Sequence, residues 1–126
     1  SGMSTMEQVL DNISYMKDFK PLSEEEQNTI KEAQKALDAI ESIPCTACRY
    51  CTPGCPMGIE IPDIFKAMNW YKIYGMKDKA KDRYESTIQK SAKASECIEC
   101  GQCEGVCPQQ LPIMEYLKEC ASVLEE

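Results

Sequence analysis

Histidine is absent from all 126 residues. Its absence removes the usual acid–base group near neutral pH and with it every mixed cysteine–histidine metal site. Long apolar runs are absent too, because charged residues interrupt each candidate segment before the roughly 18 apolar residues of a membrane span are reached, so no membrane span is expected. Positive charge is scarce. The 14 basic and 21 acidic residues leave a formal charge of −7, the wrong sign for following a phosphate backbone, and nucleic acid is not an expected partner. No apolar leader with a basic start opens the chain, from which a cytoplasmic setting is expected.

What the chain has instead is cysteine. Nine occur, and eight of them fall in two tight runs, Cys45-Thr46-Ala47-Cys48-Arg49-Tyr50-Cys51-Thr52-Pro53-Gly54-Cys55-Pro56 and Cys97-Ile98-Glu99-Cys100-Gly101-Gln102-Cys103-Glu104-Gly105-Val106-Cys107-Pro108. A chain this long buries enough surface to fold without disulfide staples, and cysteines two residues apart bind metals more readily than each other. Both runs read C-x-x-C-x-x-C-x-x-x-C-P, the spacing of bacterial ferredoxins. Steps of three wrap one loop around three iron corners of a cubane, while the cysteine before proline is carried to the other cluster. By that rule Cys45, Cys48, Cys51 and Cys107 hold one [4Fe–4S] cluster, and Cys97, Cys100, Cys103 and Cys55 hold a second. Two four-cysteine zinc sites are the competing reading, but tetrahedral zinc needs neither the three-step series nor the trailing Cys-Pro. Gly54, Gly101 and Gly105 are expected to let the backbone turn and approach the metal. Arg49 and Tyr50 are candidates for shaping access to the first cluster. Cys120, without a cysteine counterpart in the first half, is expected to be a buried core residue.

The second run stands 52 residues after the first at all four cysteines, and the copy continues beyond them. Ile59, Ile61 and Phe65 follow Cys55 at the same offsets at which Leu111, Ile113 and Leu117 follow Cys107, so each half is a ligand loop feeding an apolar-faced helix. Elsewhere helical spacing dominates. A first helix is expected over about 5–18, opened by a capping box at Ser4 and Glu7. A second begins at Ser23 with Glu26 and ends at Pro44. A third starts at Pro62 and closes at Gly75, a fourth spans about 77–89, and a last runs from about Pro112 to Leu124. Trp70, Tyr71 and Tyr74 are expected to pack in the core. The fold class is therefore all-α, about five helices with two cysteine-rich cluster-binding loops, internally duplicated. Residues 1–42 form a helical N-terminal segment and residues 43–126 the two-cluster domain.

With its long helical spacer between the runs, the chain resembles the α-helical ferredoxins. Through Ile43-Pro44-Cys45-Thr46-Ala47-Cys48-Arg49-Tyr50-Cys51, Ile61-Pro62-Asp63-Ile64-Phe65 and Glu99-Cys100-Gly101-Gln102-Cys103-Glu104 it is similar to the C-terminal ferredoxin domain appended to certain bacterial aldo/keto reductases. The resemblance implies that the segment Ser1 to Asn12 is the tail end of a reductase barrel, with Ser4, Gln8, Asp11 and Asn12 matching contacts to NADP(H). The plainer reading is that Ser1-Gly2 is a cloning scar and the rest an ordinary capped helix. No barrel and no catalytic tyrosine or lysine motif of that family is in the chain, so it is not expected to be catalytic alone, and NADP(H) belongs only to a joined barrel domain.

The expected role is an electron-transfer module. Each oxidised cubane with four thiolates carries about −2, which takes the loaded chain to about −11, so the expected partner is a redox protein or joined reductase domain with a basic docking face. The alternative is a structural or assembly domain in which the clusters only stabilise the fold.

Overall fold

The computed structural model describes residues 2–126, and every regular element among them is helical. Ser1, the first residue of the expected scar, lies outside the described residues. The elements are α1 (Met6–Lys17), α2 (Glu24–Asp38), α3 (Ile61–Tyr74), α4 (Lys77–Ile88), the one-turn α5 (Gln102–Gly105) and α6 (Ile113–Leu124), with a 3-10 turn at Ala94–Glu96. The chain divides into two compact units between Ala39 and Ile40.

The first unit holds α1 and α2, and neither helix buries a residue. The capping box of α1 sits one residue later than expected: Thr5, not Ser4, is the N-cap, and its hydroxyl accepts from the Gln8 amide at 3.3 Å. The later register lets the Gln8 side-chain oxygen accept from two otherwise unpaired N–H groups, those of Ser4 at 2.8 Å and Thr5 at 3.3 Å. It also leaves Glu7 in the first turn, where negative charge meets the positive helix end. The Ser23–Glu26 box opens α2 as expected. This helix stops at Asp38, well before Pro44, because Ile43 is held elsewhere. Its N–H donates to Asn69 Oδ1 at 2.7 Å and its carbonyl accepts from Asn69 Nδ2 at 2.9 Å, pinning the buried Ile43 to α3.

The second unit is built on the duplication. Ile59, Ile61, Phe65 and Met68 are buried in the first half, and Leu111, Ile113, Leu117 and Cys120 in the second, each 52 positions on. Cys120 thus takes the place that Met68 fills in the first half, a core position as expected. Burial is worth about 1.5–3 kcal/mol per large side chain, enough for these paired helices to dominate the unit's stability. Phe65 and Tyr116 meet edge to face with ring centroids 5.7 Å apart, and α4 buries Ala80 and Tyr84 against the same core.

Gly75 closes α3 in a left-handed conformation, φ +66°, that an L side chain rarely adopts. Of the three aromatic residues expected in the core, only Trp70 packs against it. Lys79 and Arg83 of α4 lie over its ring at 5.3 and 5.1 Å. Tyr71 and Tyr74, in the last turn of α3, are exposed.

Candidate metal centre

Both cysteine loops are made of the same backbone. Thr52, Cys55 and Gly58 donate their amides to the carbonyls three residues earlier, and Glu104, Cys107 and Gln110 do the same in the second loop. Left-handed residues recur at the same offset: Ala47 (φ 55°) with Glu99 (55°), Arg49 (63°) with Gly101 (74°), and Gly58 (69°) with Gln110 (51°). A side chain in this region carries a cost, and successive left- and right-handed residues turn their amides inward to form a concavity that binds anions. The glycine expectation holds for Gly101 alone of the three. Neither Gly54 nor Gly105 has a positive φ, and a Cβ at Gly54 meets only Gln102 Oε1, at an ordinary 3.6 Å. Beside Gly58 and Gly101, the turning is done by Ala47, Arg49, Glu99 and Gln110, which sequence alone does not mark.

Two of these costs are offset by charge. The Arg49 guanidinium binds Asp63 through both carboxylate oxygens at 2.8 and 3.0 Å, and Glu60 at 2.9 Å, fastening the first loop to the start of α3. Asp63, by hydrogen bonding and charge, raises the guanidinium pKa further. In the second loop Glu99 pairs with Lys118 of α6 at 2.9 Å. The second loop also contains α5, a single helical turn too short to leave a periodic signal in the sequence, which begins at left-handed Gly101.

Two cavities lie beside these loops. One is lined by Cys45, Cys48, Cys51 and Cys107, with Ile61, Phe65, Leu111 and Ile113 behind them and about 340 Å³ of empty space including its mouth. The other is lined by Cys55, Cys97, Cys100 and Cys103, with Ile59, Ile61 and Leu117 behind them and about 330 Å³. Each cavity therefore gathers three thiols of one run and the last thiol of the other. The last cysteine of a run is carried away by the turn that follows its proline. That turn places Ile59 or Leu111 in the core and aims the chain into α3 or α6.

The chemistry of the lining fits an iron–sulfur cubane. All eight thiols are free, and the walls behind them are apolar, which suits a compact cluster sealed from water. No three Cys, Asp or Glu side chains among the described residues converge closely enough for a single ion, while four thiols spread around each cavity. Burial pushes the Cys51 thiol up and the Cys103 thiol up to about 11. A bound cation deprotonates a coordinating thiol outright, so burial keeps these two thiols protonated until metal displaces the proton. Thr52 Oγ1 is buried without an oxygen or nitrogen partner. It lies next in sequence to Cys51, so a thiolate or sulfide acceptor there would satisfy its proton. Burial pushes the Cys120 thiol to about 12, and it lines neither cavity.

Arg49 lines the first cavity, whereas Tyr50 is exposed and lines neither. Of the N-terminal candidates, Gln8 is engaged in the cap of α1 together with the Ser4 amide, and the Asp11 carbonyl accepts from the Ser14 hydroxyl. Asn12 lies on a shallow surface with Met3, Val9, Ile13, Met16 and Lys17.

A family described as a 4Fe-4S dicluster domain matches residues 44–112. The chain is 27% identical over 96 residues to a component of the ion-translocating oxidoreductase complex of Buchnera aphidicola, a match that covers 76% of this chain and 18% of that protein. It is 29% identical over 100 residues to the "Probable glycolate oxidase iron-sulfur subunit" of Bacillus subtilis, covering 79% and 22% respectively. The chain thus spans about a fifth of the length of either relative. No solved structure gives a significant match.

Proposed function

We propose, from the premise that this chain belongs to the 4Fe-4S dicluster domain family, that it is an electron-transfer module whose two clusters are held by crossed ligation. In this reading Cys45, Cys48, Cys51 and Cys107 hold one [4Fe–4S] cluster, and Cys55, Cys97, Cys100 and Cys103 the other. The observation that carries the reading is the grouping of thiols in the two cavities, three from one run and one from the other. Bound clusters supply one-electron chemistry without proton transfer, which suits a chain that has no histidine. The chain's own residues provide thiolates and apolar walls. Two oxidoreductase-related relatives support a redox partner. Anaerobic reconstitution is expected to give about eight irons and eight sulfides per chain, a broad absorption near 400 nm and an EPR signal on reduction. A colourless product holding two zinc ions sinks the proposal.

The finer reading is that this module is appended to an aldo/keto reductase-type oxidoreductase in the cytoplasm. Residues 1–42 are then the end of its barrel, and Ser4, Gln8, Asp11 and Asn12 the remnant of its NADP(H) site. The flanking motifs of the cysteine runs support it, as does an amphipathic first unit that buries none of its helix residues. The coding sequence upstream of Ser4 is then expected to specify a (β/α)8 barrel, and a frame without one refutes this attachment. Isolated from such a barrel, the remnant is expected to bind NADP(H) weakly.

A structural role for the clusters is the second reading, favoured by the place of Cys51 and Cys103 within the hydrophobic core. Cys48→Ser in the joined protein separates the two: lost stability with turnover retained per folded molecule points to structure, and lost electron acceptance points to transfer.

A further inference from the structure

The two cavities differ at their mouths, and the difference gives the module a polarity. Among the residues lining the first cavity, the exposed ones are Thr46, Cys48, Arg49 and Gln109, polar apart from the ligand. The corresponding mouth of the second is mainly apolar: Pro56, Met57 (38% exposed) and Ile98 (59% exposed) accompany the exposed Cys100, and Gln102 is its one exposed polar side chain. Single exposed apolar side chains need no explanation, but several converging on one opening do.

Charge separates the ends as well. From Ala94 to Leu117 the chain carries Glu96, Glu99, Glu104 and Glu115 with no Lys or Arg, and among the described residues only Glu99 of the four has an ion pair, with Lys118. The first run carries Arg49 and no acid, and Arg49 is paired with Glu60 and Asp63. The second mouth is therefore apolar, and the run that supplies its Ile98 lies in an acidic segment bounded by Lys93 and Lys118. The first is polar and nearly charge-compensated.

We propose that the mouth formed by Met57 and Ile98 is the docking surface for a one-electron redox protein whose own contact face is apolar and ringed by Lys or Arg. This assignment rests on the electron-transfer reading above and adds to it which end meets the partner. The carboxylates steer a basic partner toward this end, and the apolar pair lets two redox centres approach across a small, dry contact, the kind on which brief encounters depend. One electron passes from the reduced protein to the partner, no bond forms or breaks, and no proton moves.

The test uses the holoprotein reduced with dithionite, excess reductant removed, and mixed in a stopped flow with ferric cytochrome c, a basic haem protein, or with a small neutral quinone. Wild type is expected to reduce cytochrome c rapidly at low salt and at least about tenfold more slowly at high salt. Met57→Lys with Ile98→Lys is expected to slow cytochrome c reduction at least about tenfold more than it changes quinone reduction, in protein loaded with iron to the wild-type level. Met57→Gln with Ile98→Gln removes the apolar contact without adding charge and is expected to slow the reaction about threefold or more. It carries the test if the lysine variant fails to load. Tyr50→Lys, next in sequence to Arg49 of the other mouth, is expected to stay within about twofold of wild type.

Unchanged cytochrome c kinetics in the loaded Met57/Ile98 variants, or equal slowing by Tyr50→Lys, overturns the docking assignment and leaves the electron-transfer reading standing. Failure of reduced wild type to pass electrons to either oxidant overturns the electron-transfer reading itself.

Discussion

Cys55 lines the same cavity as Cys97, although the two belong to different cysteine runs and stand 42 residues apart. Cys107 crosses the other way, to the cavity of Cys45. This exchange makes a prediction that pairs of substitutions can read. Cys48→Ser with Cys107→Ser removes two ligands of one proposed cluster and is expected to leave about four irons per chain. Cys48→Ser with Cys55→Ser strikes both clusters and is expected to leave almost none. Uncrossed ligation reverses the two results, so iron and sulfide analysis after anaerobic reconstitution decides between them.

Ala47 adopts φ 55° with a Cβ attached. Glycine there removes that steric cost, though it also frees the unfolded chain, so Ala47→Gly is expected to hold stability or raise it by up to about 1 kcal/mol. Ala47→Val, β-branched in the same conformation, is expected to lower it by about 1–3 kcal/mol. Thermal unfolding of the loaded protein measures both.

Thr52 has a buried hydroxyl without an oxygen or nitrogen partner beside Cys51. A hydrogen bond to sulfur stabilises the more negative reduced state, so Thr52→Val is expected to lower the potential of the first cluster only. One such bond is worth about 1 kcal/mol, or about 40 mV for a one-electron couple. An EPR-monitored redox titration resolves the two clusters. Equal shifts in both, or none, refute the assignment.

Tyr84 is buried, its hydroxyl donates to Glu125, and it accepts from the Ala94 amide at 2.8 Å. Glu125 also accepts from the Ser95 amide at 3.0 Å and the Ser95 hydroxyl at 2.6 Å, which ties the end of α6 to the turn just before Cys97. Burial alone would push the Glu125 carboxyl up, but the bonds from Ser95 and Tyr84 outweigh it and hold it below the usual carboxylate range. The group therefore contributes stability that is complete above the unfolded value of about 4.3 and is lost as pH falls through its lower folded value. Glu125→Gln is expected to flatten that acid loss in denaturant melts. Tyr84→Phe strands the Ala94 amide and is expected to cost about 1–3 kcal/mol near neutral pH.

Cys120 is fully buried and lines neither cavity. Cys120→Ala is expected to leave iron and sulfide content unchanged while lowering stability by about 1–2 kcal/mol, the lost packing of one sulfur. A loss of about four irons, one cubane's worth, would make it a ligand.

Much of this was legible in the residues. Ligand spacing is a local property, since three cysteines at steps of three imply one wrapped loop whatever surrounds them. The 52-residue copy and the helical stripes through Phe65 and Leu117 are equally plain, because apolar periodicity records which side of a helix is buried. The cap of α1 was displaced by one residue, because Ser4 with Glu7 and Thr5 with Gln8 offer the same signature, and only the paired hydrogen bonds of Gln8 choose between them. The early end of α2 and the short α5 escaped for a related reason. The first depends on a pairing of Ile43 with Asn69, 26 residues away, and the second on a single left-handed glycine.

By itself, then, the sequence determined the thiols, the absence of any histidine, the duplication and the helical class, all of which rest on residue identity and spacing along one chain. The grouping of the thiols was already an expectation of the ferredoxin spacing, whereas only the tertiary structure decided which backbone positions turn left-handed. It also decided that the second mouth is mainly apolar while the first is polar. Those are relations between segments distant in sequence, fixed when the cores under α3 and α6 pack and draw Cys55 and Cys107 across to the opposite loops.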